Sequence, residues 1–387
     1  MKSESRPIMQ EHWIYLDYNA STPMDPEVVE VMRQCLAFQG HPSSAHPHGR
    51  QAAAAVEHSR ELVATALGCE ASEIIFCSGS TEASNQVIKG VAFHPEQQGR
   101  TLHFISSEVD HAATTAPLNF LKRLGHEVTF LPVDTTGRID PQRLKEEIKE
   151  NTILVTLIHG QNEVGTVQPL EEIGEICRES QVLFHVDASQ SFGKVPFTVD
   201  SLKADFLNIA GHKIYGPKGV GALYVRQGRE LEPLLHGGGH EAGLRSGTPA
   251  PQLIAGLGEA CRLVTKLGSL SGQATEALWQ ALSQHLGDRV RRNGHPDYHL
   301  PNVLHVTFQG VNGRELLNLA HVSASTGAAC HSAAVSPVLK AMGFSAEEAA
   351  GSVRLSCGRY TSVEDAQSAA KSLQQAFESL SREAAAK

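Results

Sequence analysis

The sequence predicts an α/β protein in which helices cover both faces of a mainly parallel sheet, followed by a smaller α+β domain. From about residue 60, helical and strand-like segments alternate along the chain, and such alternation builds a mainly parallel sheet between layers of helices. Near residue 250 the pattern changes, because long helical stretches precede isolated strands. With 387 residues the chain exceeds the usual size of one hydrophobic core, so we expect two domains.

The predicted elements of the first unit follow one another without an internal repeat or a low-complexity linker. They begin with helix AAAAVEHSRELVATALG, strand EIIFCS, helix TEASNQVIKGVA, strand TLHFISS, helix APLNFLKRLG and strand HEVTFLPV. The series continues through DPQRLKEEIKE, TILVTLI, PLEEIGEICRES, VLFHVDA, FLNIAG and GALYVR. We therefore place the large domain at residues 15–252, after an N-terminal segment, residues 1–14, that is expected to pack on the small domain.

The second unit, residues 253–387, begins with the helical stretches PQLIAGLGEACRLVTKL and GQATEALWQALSQHLG, and the strands VLHVTF and SVRLSC follow. The terminal segment SVEDAQSAAKSLQQAFESLSREAAAK is rich in good helix formers. Thr361 and Glu364 have the spacing of a capping box in front of it, which predicts where the last helix begins.

Bulk composition excludes several classes of protein. A net charge of −9 argues against general affinity for nucleic acid or anionic membranes. The sequence contains no apolar run long enough to span a bilayer, and its start lacks the apolar core of a signal peptide. The seven cysteines are scattered and include no CxxC pair, which indicates reduced thiols and predicts a cytoplasmic protein without a structural metal.

Lys213 and Asp187 are the most informative pair of residues. Lys213 stands between a strand-like run and a glycine-rich turn in NIAGHKIYGPKGVGALYV, and Asp187 ends the strand-like VLFHVD. Pyridoxal phosphate needs an amine for a Schiff base, a carboxylate that keeps its pyridine nitrogen protonated, a ring to stack on, and donors for its phosphate. The pair can supply the first two, although a lysine beside a turn and an aspartate at a strand end are also common as ordinary solvated residues.

Other segments could supply the remaining groups. Ser80 and Thr81 follow a buried-type strand and open a helix, a geometry that binds anions, although either residue could be a plain N-cap. His111 follows another strand, at the edge where ligands bind in such folds, and could stack on a planar cofactor or move protons. Asn162 and Glu163 also stand just beyond a strand. With 20 histidines in the chain, a surface role for His111 stays open.

Three further groups of residues carry weaker signals. The glycine-rich HGGGHEAGLRSGT, with Arg245, Ser246 and Thr248, could wrap around an anion or serve as a flexible interdomain loop. The histidines of GHPSSAHPHGR do not predict zinc, because structural zinc sites usually have four ligands at recognisable spacing. Cys330 lies among small residues in STGAACHSAAVSP, where a thiol has the access that a reactive cysteine needs. The other six cysteines lie in helical or strand patterns, and for them a chance free cysteine is the open alternative.

Taken together, nine segments resemble the cysteine desulfurase and selenocysteine lyase family, in the family's own order and over nearly the whole chain. They are YLDYNASTP, PSSAHPHGR, SGSTEASN, VDH, QNEVG, HVDASQS, GHKIYGPKGVGALYVR, GGGHEAGLRSGT and TGAACHS. The resemblance implies a fold-type-I, pyridoxal-phosphate-dependent homodimer with a seven-stranded large-domain sheet. It also implies removal of sulfur or selenium from L-cysteine or L-selenocysteine, giving L-alanine and a Cys330 persulfide that passes to a thiol or an acceptor protein.

The resemblance also implies roles for individual residues. Lys213 is expected to hold the cofactor and act as the base, Asp187 to pair with the pyridinium nitrogen, and His111 to stack on the ring. Asn162 and Gln190 are expected at the phenolic oxygen, Ser80, Thr81, His212 and the partner subunit's Thr248 at the phosphate, and Arg354 at the substrate carboxylate, with Asn162 and His41 nearby.

Three departures from the family pattern bear on this reading. Ala210 stands where many desulfurases have a serine that donates to the phosphate. His41 replaces the usual asparagine of GNPSS near the expected entrance, which bears on substrate preference. The segment after Cys330 is short and resembles the selenocysteine lyases, so we expect weaker sulfur delivery to a scaffold protein than in relatives with a long loop.

Two alternatives remain open at the level of the sequence. The first is a β-lyase or aminotransferase of the same fold that has no persulfide step. The second, from a different class, is a non-catalytic binding subunit of a sulfur-assembly system.

Overall fold

The computed structural model describes residues 13–268, 272–326 and 335–385, and it confirms the α/β architecture. In chain order the strands are β1 (Ile14–Tyr15), β2 (Ile74–Cys77), β3 (His103–Ser107), β4 (Glu127–Leu131), β5 (Thr152–Ile158), β6 (Leu183–Asp187), β7 (Phe206–Ala210), β8 (Gly221–Val225), β9 (Val290–Asn293), β10 (Val303–Phe308), β11 (Val322–Ser323), β12 (Ser325–Thr326) and β13 (Ser352–Ser356). The helices are α1 (Pro26–Cys35), α2 (Pro47–Leu67), α3 (Ser80–Ala92), α4 (Ala112–Arg123), α5 (Pro141–Glu147), α6 (Leu170–Glu179), α7 (Pro251–Leu267), α8 (Gln273–Leu286), α9 (Gly313–Ala320), α10 (Pro337–Ala341), α11 (Ala346–Ala350) and α12 (Val363–Ala385).

The large sheet has seven strands in the order β2-β8-β7-β6-β5-β3-β4. The pairs from β7 to β4 are parallel, whereas β8 runs antiparallel to both β2 and β7. Because parallel strands with intervening helices end at one edge, the segments after β3, β5 and β6 all meet there. This edge is where the sequence places its candidate residues.

Alternate residues of the central strands enter two separate hydrophobic cores, one on each face of the sheet. Ile105 and Val186 belong to the core covered by α2 and α7. Phe104 and Phe206 belong to the core covered by α3 and α4. Burial on both faces explains why these strands read as continuous apolar runs in the sequence.

Helix α7 packs against α1 and α2. Its residues Ile254, Leu257 and Leu263 lie in the same core as the large sheet, so the first helix after the predicted boundary covers the large sheet. The exact boundary at residue 252 stays a prediction.

The smaller sheet is antiparallel, in the order β12-β13-β10-β9. It packs against α8 and α12 around Leu278, Leu304 and Leu373. Near the N-terminus, β1 pairs in parallel with β11, and Leu16 enters the same core. The structure therefore holds residues 14–17 against the small domain, while residues 1–12 lie outside the described part.

The capping box of α12 lies one residue later than predicted. Ser362 Oγ accepts from the Asp365 amide at 3.0 Å, and the Asp365 carboxylate accepts from the Ser362 amide at 3.1 Å. Thr361 instead accepts from the Gly358 amide at 3.0 Å, so its hydroxyl closes the preceding turn. In the described part of the chain, no helix has both the length and the apolar content that a membrane span requires.

Candidate active site

Asp187 lies at the end of β6, 3 % exposed, and is held from the neighbouring strand. Its Oδ1 accepts from Asn208 Nδ2 on β7 at 2.9 Å and from the Ser189 amide at 3.0 Å, and it also contacts the Ser189 hydroxyl. Among the residues that the structure describes, these hydrogen bonds all fall on Oδ1. The second carboxylate oxygen is therefore left for a ligand.

A buried polar chain sets the orientation of Asn208. His185 Nε2 donates to Asn208 Oδ1 at 2.7 Å, and the other ring nitrogen lies 2.7 Å from Thr156 Oγ1. Burial lowers the pKa of His185 to about 4, so the imidazole is neutral and Thr156 donates to Nδ1. With its oxygen turned toward His185, Asn208 presents Nδ2 to Asp187.

Lys213 ends a short 3-10 turn, Gly211–Lys213, that directly follows β7. Its Nζ donates to two backbone carbonyls, those of Asn19 at 2.5 Å and Ala20 at 3.1 Å, and it makes no ion pair within the described ranges. Burial, and then the charge of Arg354, lower the pKa of Lys213 to about 8, against the opposing effect of Asp187. An appreciable fraction of this amine is therefore unprotonated at neutral pH.

The N-terminus of α3 points its amide groups toward the same site. Gly79 precedes the helix with φ of 146° and gives no side-chain cap, so the alternative that Ser80 or Thr81 is the N-cap is wrong. Gly221 of β8 passes so close that an added Cβ would lie 2.8 Å from Gly79 Cα. Ser189 Oγ lies 2.5 Å from Ser80 Oγ, and this contact connects the helix start to Asp187.

His212 precedes Lys213 and is half-buried. Burial, and then the neighbouring charge of Lys213, lower its pKa to about 4. The imidazole is therefore neutral, with one N–H to donate. A phosphate dianion bound nearby would favour the protonated form and raise this pKa.

His111 follows β3 and caps α4, because its Nδ1 accepts from the Ala113 amide at 3.1 Å. Its side chain is exposed. The preceding Asp110 is buried and accepts from the Ser107 amide at 2.7 Å and the Ile158 amide at 2.5 Å. This carboxylate joins the ends of β3 and β5 and so positions the backbone of His111 at the edge of the sheet.

Arg354 on β13 connects the small sheet to this edge. Its Nη2 donates to Asp17 at 2.7 Å and to Ser325 at 2.9 Å, and Nη1 donates to the Asn162 carbonyl at 2.9 Å. Its Nε is buried and has no hydrogen-bond partner in the described residues. The guanidinium therefore retains a donor for an added carboxylate.

Gln190 and Asn19 complete the surroundings of Lys213. Gln190 Nε2 donates to the Asn19 carbonyl at 2.8 Å, the same oxygen that accepts from Lys213. Asn19 Nδ2 donates to the Asn162 carbonyl at 3.1 Å. Asn19 thus connects Lys213, Gln190 and Asn162, although only its place in YLDYNASTP drew attention to it in the sequence.

The remaining predicted residues lie apart from this cluster or outside the described ranges. Thr248 is exposed, on a loop that is held to its own subunit by the ion pair of Arg245 with Glu82 at 2.9 Å. The ring of His41 is tilted by 47° against that of His240, with the ring centroids 5.5 Å apart. Cys330 lies in residues 327–334, outside the described part.

The described residues contain no group of three or more histidine, cysteine or acidic side chains that could hold a metal ion. His46 caps α2 by accepting from the Gly49 amide at 3.1 Å. Its ring lies 6.0 Å from that of His48. His46 therefore has a structural role as a helix cap, and His48 packs beside it.

Sequence reasoning missed Asn19, Asn208, Ser189 and Lys194 as parts of the site. Ser189 and Lys194 flank Gln190 in HVDASQSFGK, so proximity along the chain could have suggested them. Asn208 lies within a strand, where the sequence suggests only an ordinary buried residue. Its contact with Asp187 follows from the pairing of β6 with β7, which the sequence does not show.

Comparison with known proteins gives a consistent result. A sequence model of the family described as Aminotransferase class-V matches residues 14–368. The chain is 42% identical to a protein named cysteine desulfurase IscS from Dictyoglomus turgidum over 362 residues, which cover 91% of each chain. It is 41% identical to cysteine desulfurase IscS from Photobacterium profundum over 378 residues, covering 95% of this chain and 93% of that one.

Solved structures agree. A protein titled "NIFS-LIKE PROTEIN" superposes with a TM-score of 0.88 at 34% identity, covering 95% of this chain and 100% of that chain. A structure titled "SspA in complex with cysteine" gives a TM-score of 0.81 at 38% identity, covering 89% of this chain and 99% of the other.

Proposed function

The chain belongs to the class-V aminotransferase family and, within it, to the pyridoxal-phosphate-dependent cysteine desulfurases, and from this we propose that Cys330 takes the sulfur of L-cysteine as a persulfide while L-alanine is released. The observation that carries the proposal is the chemistry of Lys213. Its amine is partly buried, is influenced by the charges of Arg354 and Asp187, and has a pKa of about 8. An amine of this kind is suited both to holding a carbonyl cofactor and to moving a proton.

The donor set fits pyridoxal phosphate. Asp187 offers a carboxylate oxygen, α3 offers an uncapped N-terminus at Ser80 and Thr81, and His212 offers a neutral N–H for the phosphate. Asn162 and Gln190 are the proposed partners of the cofactor's phenolic oxygen. His111 is proposed to stack on the face of the cofactor ring. When bound, the cofactor supplies an aldehyde that condenses with amines and a ring that withdraws electrons from the substrate's Cα.

Each step assigned to the chain uses a group with suitable chemistry. Arg354 binds the substrate carboxylate through its guanidinium, which pairs well with planar anions. Lys213 Nζ removes the proton from the substrate's Cα. The Cys330 thiolate attacks the substrate sulfur, so that the Cβ–S bond breaks and an S–S bond forms. Cysteine plus the Cys330 thiol thus become alanine plus the persulfide.

The other cysteines are poorly suited to carry this persulfide. Cys35, Cys77, Cys177, Cys261 and Cys357 are buried and Cys69 is half-buried, and burial raises the pKa of each thiol. A raised pKa leaves little thiolate at neutral pH, and the thiolate is the nucleophile. These free thiols also support our proposal of a cytoplasmic location.

We further propose a homodimer in which the partner subunit's Thr248 reaches the phosphate site. In support, Thr248 is exposed within its own subunit, and no hydrogen bond links it to Ser80 or His212 in the described ranges. The acceptor of the persulfide is proposed to be a thiol or a protein. Sulfur delivery to a scaffold is expected to be weak because the segment after Cys330 is short.

Alanine formation from L-cysteine tests the proposal, with the wild type, Cys330→Ala and Cys357→Ala compared in the presence of a thiol reductant. Cys330→Ala should bind the cofactor and lose alanine formation, whereas Cys357→Ala should retain it. Unchanged turnover by Cys330→Ala would support a lyase or aminotransferase reaction instead. A protein that stays colourless after pyridoxal phosphate is added would support the binding-subunit alternative, and parallel assays with L-selenocysteine measure substrate preference.

A further inference from the structure

We propose that Lys194 is a positioning residue, whose buried amine ties Gln190 and Asn19 together and thereby fixes the polar groups that meet Lys213. This inference rests on the proposed function, because Gln190 is expected at the cofactor's phenolic oxygen. Among the described residues, the hydrogen bonds of Lys194 go to Gln190 and Asn19 and not to Lys213 or Asp187. It would act through the two amide side chains.

The geometry ties two distant segments of the chain. Lys194 Nζ donates to Gln190 Oε1 at 2.8 Å and to Asn19 Oδ1 at 3.2 Å. Gln190 and Lys194 lie four residues apart in the turns that follow β6, and Asn19 reaches the site from near the N-terminus. All three are at least nine-tenths buried, with Lys194 only 6 % exposed.

These bonds determine which end of Gln190 faces the site. Because Lys194 donates, Gln190 turns its oxygen toward Lys194 and keeps Nε2 on the side of the Asn19 carbonyl, the oxygen that also accepts from Lys213. One of the two N–H bonds of Nε2 serves that carbonyl. The other is available for a ligand oxygen beside Lys213.

The charges around Lys194 indicate that its amine works as a hydrogen-bond donor and not as half of an ion pair. No carboxylate pairs with it among the described residues. Burial, and then the nearby cations Lys213 and Arg354, lower its pKa well below the usual value. Its polar contacts in the described part of the chain are instead the two hydrogen bonds that it donates to Gln190 Oε1 and Asn19 Oδ1.

The test is a spectroscopic pH titration of the full-length protein loaded with pyridoxal phosphate. Lys194→Met retains the apolar stem and removes both hydrogen bonds. We expect the midpoint of the visible-band titration to rise by about one pH unit, and cofactor affinity to fall on the order of tenfold, the effect of losing one hydrogen bond near a charged group. Lys122→Met, at an exposed lysine near the end of α4, is the matched control and should titrate like the wild type.

A double-mutant cycle separates positioning from a general structural effect. Gln190→Ala should raise the midpoint in the same direction, and Lys194→Met should then add little further shift. An unchanged midpoint in folded Lys194→Met, or an equal shift with and without Gln190, would overturn the inference. If Lys194→Met does not fold, Lys194→Gln, whose shorter side chain cannot span both contacts, takes its place in the same cycle. A wild type without a visible band would instead refute the proposed function.

Discussion

The pH dependence of cofactor uptake tests the environment that the structure gives Lys213. Its pKa of about 8 leaves roughly one amine in ten unprotonated at pH 7, whereas a solvated lysine with a pKa near 10.4 has about one in 2,500. The structure therefore predicts an amine that is on the order of 200-fold more available at neutral pH. Burial is the largest cause of the lowered pKa, and the charge of Arg354 comes next.

The assay mixes apoprotein with pyridoxal phosphate between pH 6 and pH 10.5 and follows the visible band over time. The uptake rate should rise with pH, reach half its maximum near pH 8 and level off above pH 9. Lys213→Ala should not develop the band. A rate that still rises steeply above pH 10 would refute the reasoning, because it would show an ordinary lysine pKa.

Two substitutions check the sign of the electrostatic contributions. Asp187 raises the pKa of Lys213 and Arg354 lowers it, so Asp187→Asn should move the midpoint below 8 and Arg354→Met should move it above 8. Because the pKa in the folded protein lies below that of the unfolded chain, the unfolded state binds more protons between about pH 8 and 10.5. Lys213 therefore contributes stability that increases with pH across this window.

Three other predictions follow from the site. Arg354→Lys should raise the KM for L-cysteine by roughly 10- to 100-fold with a smaller change in kcat, since lysine cannot form a bidentate pair with a carboxylate. A fall in kcat of that size with an unchanged KM would contradict the role of Arg354 in substrate binding. Iodoacetamide at pH 7 should label Cys330 first in the native protein, because burial raises the pKa of the other cysteines, and peptide mass spectrometry of Cys330→Ala should show no fast site. Glu163 is partly buried, accepts from Ser336 Oγ at 2.7 Å and has a pKa raised by burial. Above that pKa the charged carboxylate lowers the free energy of unfolding, so Glu163→Gln should raise Tm at pH 7.5. Near pH 4, where the wild-type carboxyl is protonated, this gain in Tm should disappear. A Tm gain that is the same at both pH values would argue against a titrating carboxylate.

Sequence reasoning located much of the site because the relevant signals are local. His111, Asn162 and Asp187 each follow a strand within a few residues, and the carboxyl ends of parallel strands share one edge. Lys213 stands out for a similar reason, between the end of a strand and a turn. The start of α12 was misplaced by one residue because Ser362 and Thr361 are both good caps, and only the Gly358 turn decides which hydroxyl is free.

The order of helices and strands, the family to which the chain belongs and the chemical groups available at the edge of the sheet can all be read from the amino-acid sequence. How those groups behave depends on contacts that form when the chain folds. Arg354 and Asp17, 337 positions apart, meet through the pairing of distant strands, and Lys194 reaches Asn19 across 175 positions. The low pKa of Lys213 has the same origin, because burial and the nearness of Arg354 arise when segments far apart in the chain pack together.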